Sequence, residues 1–303
     1  MSPIKGRDTV SAMTQAFQEC ERESIRFQSQ RFNDSSSSSS SSTLSGIVLI
    51  PNFVAACGST ISLYAHVFGE GSFIARILGR TTTRHMNCIT NVQKLYEEQN
   101  QNHQQQQQYY NENASSNNYK PTHSLRRLLV WERDTRGKDA VRFDRASAGH
   151  TAMWLSRGLL FCETFMHLLA DGSEQDAEEA GVVLSSMQRT KSNDARDNNQ
   201  KLLTASSSSL GPRVCAAAAY NKTLRPYHGF LLSTVFMAAL GYAPEERKAL
   251  FDVFGYDDMR EGEQRVRECV AAMRPVTRRV SAIILEEGLE FKDKATPMQG
   301  ALS

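Results

Sequence analysis

VCAAAAYNKTLRPYHGFLLSTVFMAALGYAPEERKALFDVF, from Val214 to Phe254, is the stretch whose reading decides the fold. Its middle, Gly229 to Ala243, carries no charge, with Tyr227 and His228 ahead of it and Pro244 and a charged run behind. At about 15 residues it is shorter than the roughly 20 apolar residues that cross a bilayer. It therefore predicts a helix buried inside a soluble protein and entered behind a histidine. Upstream, Arg213 to Thr223 reads as an alanine-rich helix that Pro226 interrupts. Downstream, Val266, Val270, Met273, Val276, Val280, Ile283 and Ile284 recur at helical spacing, a long amphipathic helix with Pro275 inside it.

The same period extends toward the N-terminus. Between about 145 and 169, His150, Trp154, Gly158, Phe161 and Phe165 fall on successive turns of one face. Such a stripe is most simply core. Gly158, which costs a helix about 1 kcal/mol relative to alanine, suggests close approach by something else. Leu125, Leu128 and Leu129 mark another helix, and Phe53, Val54, Cys57, Ile61, Tyr64 and Val67 one more that stops at Gly69 to Gly71. Between them, about 72 to 98, Ile77, Ile89, Val92 and Tyr96 take one side and Asn87, Asn91 and Lys94 another. That polar stripe is either a solvated face or a row of hydrogen-bonding groups aimed at a ligand. No segment reads as a strand, so the expected class is all-α.

Composition limits the domain count. Of 303 residues, the serine run Ser35 to Ser42, the Gln/Asn tract from Gln99 to Asn118 and the polar stretch from Lys191 to Ser209 are low-complexity. What remains, roughly 200 residues, is enough for one domain with a sizeable interior. The expected layout is a disordered tail over 1–45, despite a short amphipathic pattern at Val10, Met13 and Phe17. A single domain follows over 46–290, with insertions at about 99–121 and 188–211, and then a tail over 291–303. A formal charge of +2 argues against a protein that coats nucleic acid. Six cysteines without a CxxC pair, mostly in apolar contexts, point to a reduced, cytoplasmic setting.

Catalytic signatures are missing: there is no GxSxG, HExxH, GxxxxGK[ST] or glycine-rich dinucleotide turn. The seven histidines make no convincing metal pair. The expectation is a protein that is not an enzyme and uses no metal and no cofactor. What stands out is an apolar helical interior with Asn87, Asn91, Lys94, Trp154 and His228 spaced to meet at one end, a set suited to an amphiphile.

Three segments carry a resemblance. AMWLSRGLLF (Ala152 to Phe161), AYNKTLRPYHGF (Ala219 to Phe230) and NCITNVQK (Asn87 to Lys94) resemble, in the same order, motifs of the glycolipid transfer protein family. The resemblance covers about 47–97, 122–185 and 212–289, and its gaps coincide with the low-complexity segments. It implies a two-layer sandwich of about eight helices that moves a sphingolipid, a glycosphingolipid first of all, between membranes without converting it. By position, Trp154 would stack on the first sugar, Asn91 and Lys94 would bind its hydroxyls, and His228 would bind the ceramide amide, with His150 and Arg157 as further headgroup contacts. Phe161, Phe165, Phe230, Leu231, Val235 and Phe236 would line the apolar pocket. The implied partners are the lipid and, transiently, a membrane surface, with the protein a monomer.

The sequence departs from the family at three places. Asn87 stands where the family has an acid, His150 and Trp154 stand where its phosphate-binding branch has two arginines, and Phe230 stands where a tryptophan is usual. Transfer of ceramide-1-phosphate or sulfatide is therefore a second reading. A lipid sensor or helical interaction module that transfers nothing is a third, and a hydrolase built around His228, which has no nucleophile beside it, a distant fourth.

Overall fold

The computed structural model describes residues 7–34, 47–110, 123–182 and 210–290. These form a two-layer, all-helical sandwich of eleven α-helices. In order they are α1 (Arg7–Asp34), α2 (Ile50–Phe68), α3 (Phe73–Tyr110), α4 (Leu125–Arg136), α5 (Lys138–Phe143), α6 (Ala148–Asp171), α7 (Glu174–Glu179), α8 (Pro212–Thr223), α9 (Phe230–Ala239), α10 (Arg247–Val253) and α11 (Met259–Glu286). The count exceeds the expected eight because α5, α7 and α10 are too short for a 3.6-residue period to show. The long helices pack in a closed circuit, α1 on α2, α2 on α3, α3 on α6, α6 on α11 and α11 back on α1.

Helix α6 is the hub, touching α2, α3, α4, α5, α8 and α11. A helix N-terminus leaves four N–H groups without intrahelical partners, and burying them uncapped is costly. Here the carboxylate of Glu132, 1% exposed, accepts from the N–H of Ala148 at 3.1 Å and of Gly149 at 3.0 Å. Ser147 caps the next turn by accepting from the N–H of His150 at 3.0 Å. The approach is close enough to require Gly149, since a Cβ there would stand 2.3 Å from Val141 Cγ1.

Three expectations are corrected. The tail over 1–45 is instead helical from Arg7 to Asp34. Val10, Met13, Phe17 and Cys20, each at most 1% exposed, form an apolar stripe that packs α1 on α2 and α11. Arg279 binds both oxygens of Glu21, at 2.6 and 3.0 Å, and ties the helix down. The glutamine tract is not an insertion from its start: α3 runs on to Tyr110, and glutamine is a good helix former. Of the other expected insertion and the C-terminal tail, 183–209 and 291–303 lie outside the described residues, as do 111–122.

Third, the uncharged run behind His228 is not a buried helix. It forms α9 and a short 3-10 turn, Leu240–Tyr242, and in α9 only Phe236 and Ala239 are buried. A ten-residue helix resting on the body along one side leaves Phe230 at 89%, Leu231 at 77% and Val235 at 36% exposure. The pocket-lining role expected for these three is not what the structure shows. Among the described residues, no helix is long and apolar enough to cross a membrane.

Because Phe17 is a fully buried anchor of α1, Phe17→Ala should cost about 3–5 kcal/mol, the usual cost of emptying a phenylalanine site. Urea unfolding of the full chain measures it, and a loss under about 0.5 kcal/mol would mean that α1 is peripheral after all.

Candidate functional site

On α6, His150, Trp154 and Arg157 are separated by four and three residues and so share a face. Opposite them, the break at Pro226 makes a 3-10 turn, Arg225–Tyr227, that delivers His228 just before α9. The imidazole of His228 stacks on the Trp154 indole, with centroids 5.8 Å apart and planes 24° apart. Tyr220 of α8 holds the ring from behind, its hydroxyl 3.1 Å from His228 Nδ1. With the phenol donating, the ring proton sits on Nε2, and that edge becomes a donor.

Arg157 also packs against Trp154. Its guanidinium carbon lies 5.1 Å from the indole centroid and 3.4 Å from the Tyr227 ring. Its Nη2 donates to Glu290 at 3.0 Å, and the Tyr227 hydroxyl reaches the same carboxylate oxygen at 3.5 Å. With a side chain only 6% exposed, Arg157 fixes the indole rather than reaching outward as a headgroup contact. His150 lies at the edge, 6.4 Å from Trp154 ring to ring, with Nδ1 2.8 Å from the carbonyl oxygen of Arg142.

Behind this cluster the interior is aromatic. Phe236 stacks on Tyr220 at 4.2 Å and meets Phe161 edge-on at 5.6 Å, and Phe161 stacks on Phe165 at 6.5 Å. All three phenylalanines are at most 4% exposed. They pack against one another and against Tyr220.

Asn87, Asn91 and Lys94 are exposed on one stripe of α3, as expected. Asn87 and Asn91 line a surface cleft of about 770 Å³ whose far side is Arg145 and Ala146, just before α6. Lys94 is not part of that lining. Among the described residues, no hydrogen bond, ion pair or ring contact joins these three to Trp154 or His228. The two halves meet at the N-terminal end of α6, where the Cys88 thiol reaches the carbonyl oxygen of Ala146 at 3.2 Å.

Several residues of this region escape sequence reasoning. Arg80 and Arg84, which also line the cleft, continue the Asn87/Asn91 stripe seven and three residues upstream, a spacing that was readable. Tyr220, Tyr227 and Glu290 join the site only through the fold, Glu290 from a position 133 residues away from Arg157.

Burial, with nearby cations adding, lowers the pKa of each imidazole around the site. His228 is lowered to about 4 by burial and by the nearby Arg157. His85, on α3 facing α6, is lowered to about 4 by burial, then His150 and Arg84. His150 is also lowered, by burial first and with Arg145 and Arg157 adding, against the carbonyl of Arg142 and Asp144.

Comparison with known proteins bears on this arrangement. The sequence profile of the glycolipid transfer protein family (GLTP) matches residues 50–255. A glycolipid transfer protein of Danio rerio is 27% identical over 121 residues, which span 40% of this chain and 42% of that relative. In structure, the mouse ceramide-1-phosphate transfer protein is similar with a TM-score of 0.57 at 15% identity, over 94% of this chain and 99% of that one. Its human counterpart, in complex with 12:0 ceramide-1-phosphate, gives 0.55 at 13% identity over 93% and 97%. FAPP2, which selects simple glycosphingolipids using the GLTP fold, gives 0.52 at 16% over 83% and 92%.

The histidine shifts set a pH dependence. In the unfolded chain His85 and His228 titrate near 6.5, and in the fold near 4. Between those values the unfolded state binds more protons, so stability falls as pH drops from about 6.5 toward 4. Urea midpoints between pH 7.5 and 5 should show this decline, and His85→Gln and His228→Gln should each flatten it. A slope unchanged in both variants would contradict the shifts.

Proposed function

The chain belongs to the glycolipid transfer protein family, and on that premise we propose that it binds a sphingolipid, most simply a glycosphingolipid, and carries it between membranes without chemical conversion. The observation that supports this most is the Trp154–His228 stack at the mouth of the Phe161/Phe165/Phe236 cluster. An indole face suits the apolar side of a sugar ring. The neutral His228, with Nε2 available to donate, suits a ceramide carbonyl oxygen. Polar and apolar binding groups thus adjoin at one boundary, as they do in the ligand.

Chain burial sets the energetic requirement. Withdrawing a lipid exposes its chains at about 0.8 kcal/mol per methylene, so a C16 chain needs roughly 13 kcal/mol of replacement burial. The aromatic cluster is the candidate lining, and it must part to admit a chain. Helix α9 is attached by few buried groups and, with the 3-10 turn that follows it, presents Phe230, Leu231 and Tyr242 outward, the last 70% exposed. It is the element suited to touch a bilayer and to shift as the lipid passes.

Asn87 gives the second reading its footing. A hydrogen bond to a charged group is worth about 1.5–3 kcal/mol against 0.5–1.5 for a neutral one, so an amide at this position holds a neutral sugar less firmly than a carboxylate does. It also repels an anion less, which favours a ceramide phosphate or a sulfated sugar.

Trp154→Ala should cut the transfer of fluorescent glucosylceramide between vesicles at least tenfold while the protein stays folded, with a single cooperative urea transition. Undiminished transfer would remove the sugar-stacking role.

A further inference from the structure

We propose that Glu290 is a positioning residue for the lipid site: its carboxylate ties Arg157 of α6 to Tyr227 of the turn that delivers His228, and so keeps Trp154 and His228 in contact. What this means for transport rests on the sphingolipid reading above, while the geometry stands without it. Trp154 comes from α6 and His228 from the end of the Arg225–Tyr227 turn, so no single element sets the distance between them. Glu290 bridges the two. Its Oε1 accepts from Arg157 Nη2 at 3.0 Å and lies 3.5 Å from the Tyr227 hydroxyl. The Tyr227 ring in turn lies over the Arg157 guanidinium at 3.4 Å, which closes a triangle of three side chains behind the stacked pair.

The end of α11 is built to deliver this carboxylate. Gly288, at a φ of +64°, lets the chain reverse, and the N–H groups of Gly288 and Leu289 return to the carbonyls of Leu285 and Ile284 at 3.0 and 2.9 Å. The reversal drives Leu289 into the core, 1% exposed, against Gly149 in the first turn of α6. Arg142 Nη2 then donates to the Glu290 carbonyl oxygen at 3.3 Å. Upstream, Glu287 pairs with Arg133 at 2.6 Å, and Glu286 with Arg126. The segment Glu286–Glu290 is thus a strap laid across α4, α5 and α6, with its last side chain at the lipid site.

The Arg157 side chain is 6% exposed, and a cation so placed is held by a counter-charge or turns toward water. Glu290 supplies that charge from a side chain that is itself 33% exposed, so its part is to hold Arg157 rather than to fill the core. Without it, Arg157 would leave the faces of Trp154 and Tyr227, and the turn carrying His228 would lose its tie to α6. The side chains facing the His228 ring are Trp154 and Arg157 of α6, Tyr220 of α8 and Phe236 of α9, and Arg157 is the charged one among them. Burial first and Arg157 second hold the imidazole near 4, so His228 reports whether the wall stays closed. The sign separates two effects. Deleting a nearby negative charge alone would lower that pKa further, whereas opening the wall would raise it toward the free value of about 6.5.

The test follows the His228 ring proton by NMR between pH 7.5 and 4.5 in the full chain, with the resonance assigned by its loss in His228→Gln. Wild type should stay neutral to about pH 5, in keeping with a pKa near 4. In Glu290→Gln the midpoint should rise by about one pH unit or more, and glucosylceramide transfer between phosphatidylcholine vesicles should slow about fivefold or more. Glu286→Gln removes the same charge from the far end of the strap and should leave the midpoint in place. A midpoint that stays or falls in Glu290→Gln overturns the proposal whatever happens to transfer, and so does an equal rise in Glu286→Gln. Failure of Glu290→Gln to fold, seen by circular dichroism at pH 7.5, would make the residue a structural one and likewise overturn it. A raised midpoint with undiminished transfer leaves Glu290 in its positioning role and counts instead against the part given to His228 in lipid transfer.

Discussion

The structure depends on one buried carboxylate. Glu132 holds the first N–H groups of α6, the helix that six others pack against and that carries His150, Trp154 and Arg157. Burial raises its pKa, while the two N–H groups and Arg136 oppose that rise. An anion at a helix N-terminus is stabilised by the macrodipole, and its hydrogen bonds are charge-assisted. Losing it would leave buried donors unpaired at the origin of the site, so the register of the indole depends on a residue that contacts no ligand.

From that origin the site divides into two chemistries. One side is aromatic and neutral: Trp154, His228 and Tyr220 in contact, backed by Phe161, Phe165 and Phe236. The other is cationic and exposed, the Arg80-to-Asn91 stripe facing Arg145. Arg157 belongs to the first despite its charge, because Glu290 and two aromatic faces hold it in place. The division suits a ligand whose headgroup is polar on one side and whose chains enter behind a neutral imidazole.

The helical class, the order of the long helices and the shared face of His150 and Trp154 were legible in sequence, because each rests on a 3.6-residue period within one element. The Trp154–His228 contact was legible only through family resemblance, since two distant helices must meet to make it. Two misreadings have one cause, which is that composition was weighed over pattern. The serine run hid a stripe at Val10, Met13, Phe17 and Cys20 that is wholly buried. The absence of charge in Gly229 to Ala243 suggested burial, yet α9 is short and buries one side only. Apolarity shows what a segment can bury, not what the fold covers, and an exposed apolar helix is itself a sign of an interaction surface. Glu290 had no local signal at all, since its meaning lies in Arg157 and Tyr227.

The central claim is that this chain carries an intact sphingolipid with its headgroup against Trp154 and its chains in the interior. Native mass spectrometry of the full chain purified from its own cells tests it most directly. The account predicts a complex of one protein with one sphingolipid whose headgroup contains a sugar. A chain that comes away bound only to glycerophospholipid, or with a ceramide cleaved from its headgroup, would contradict it.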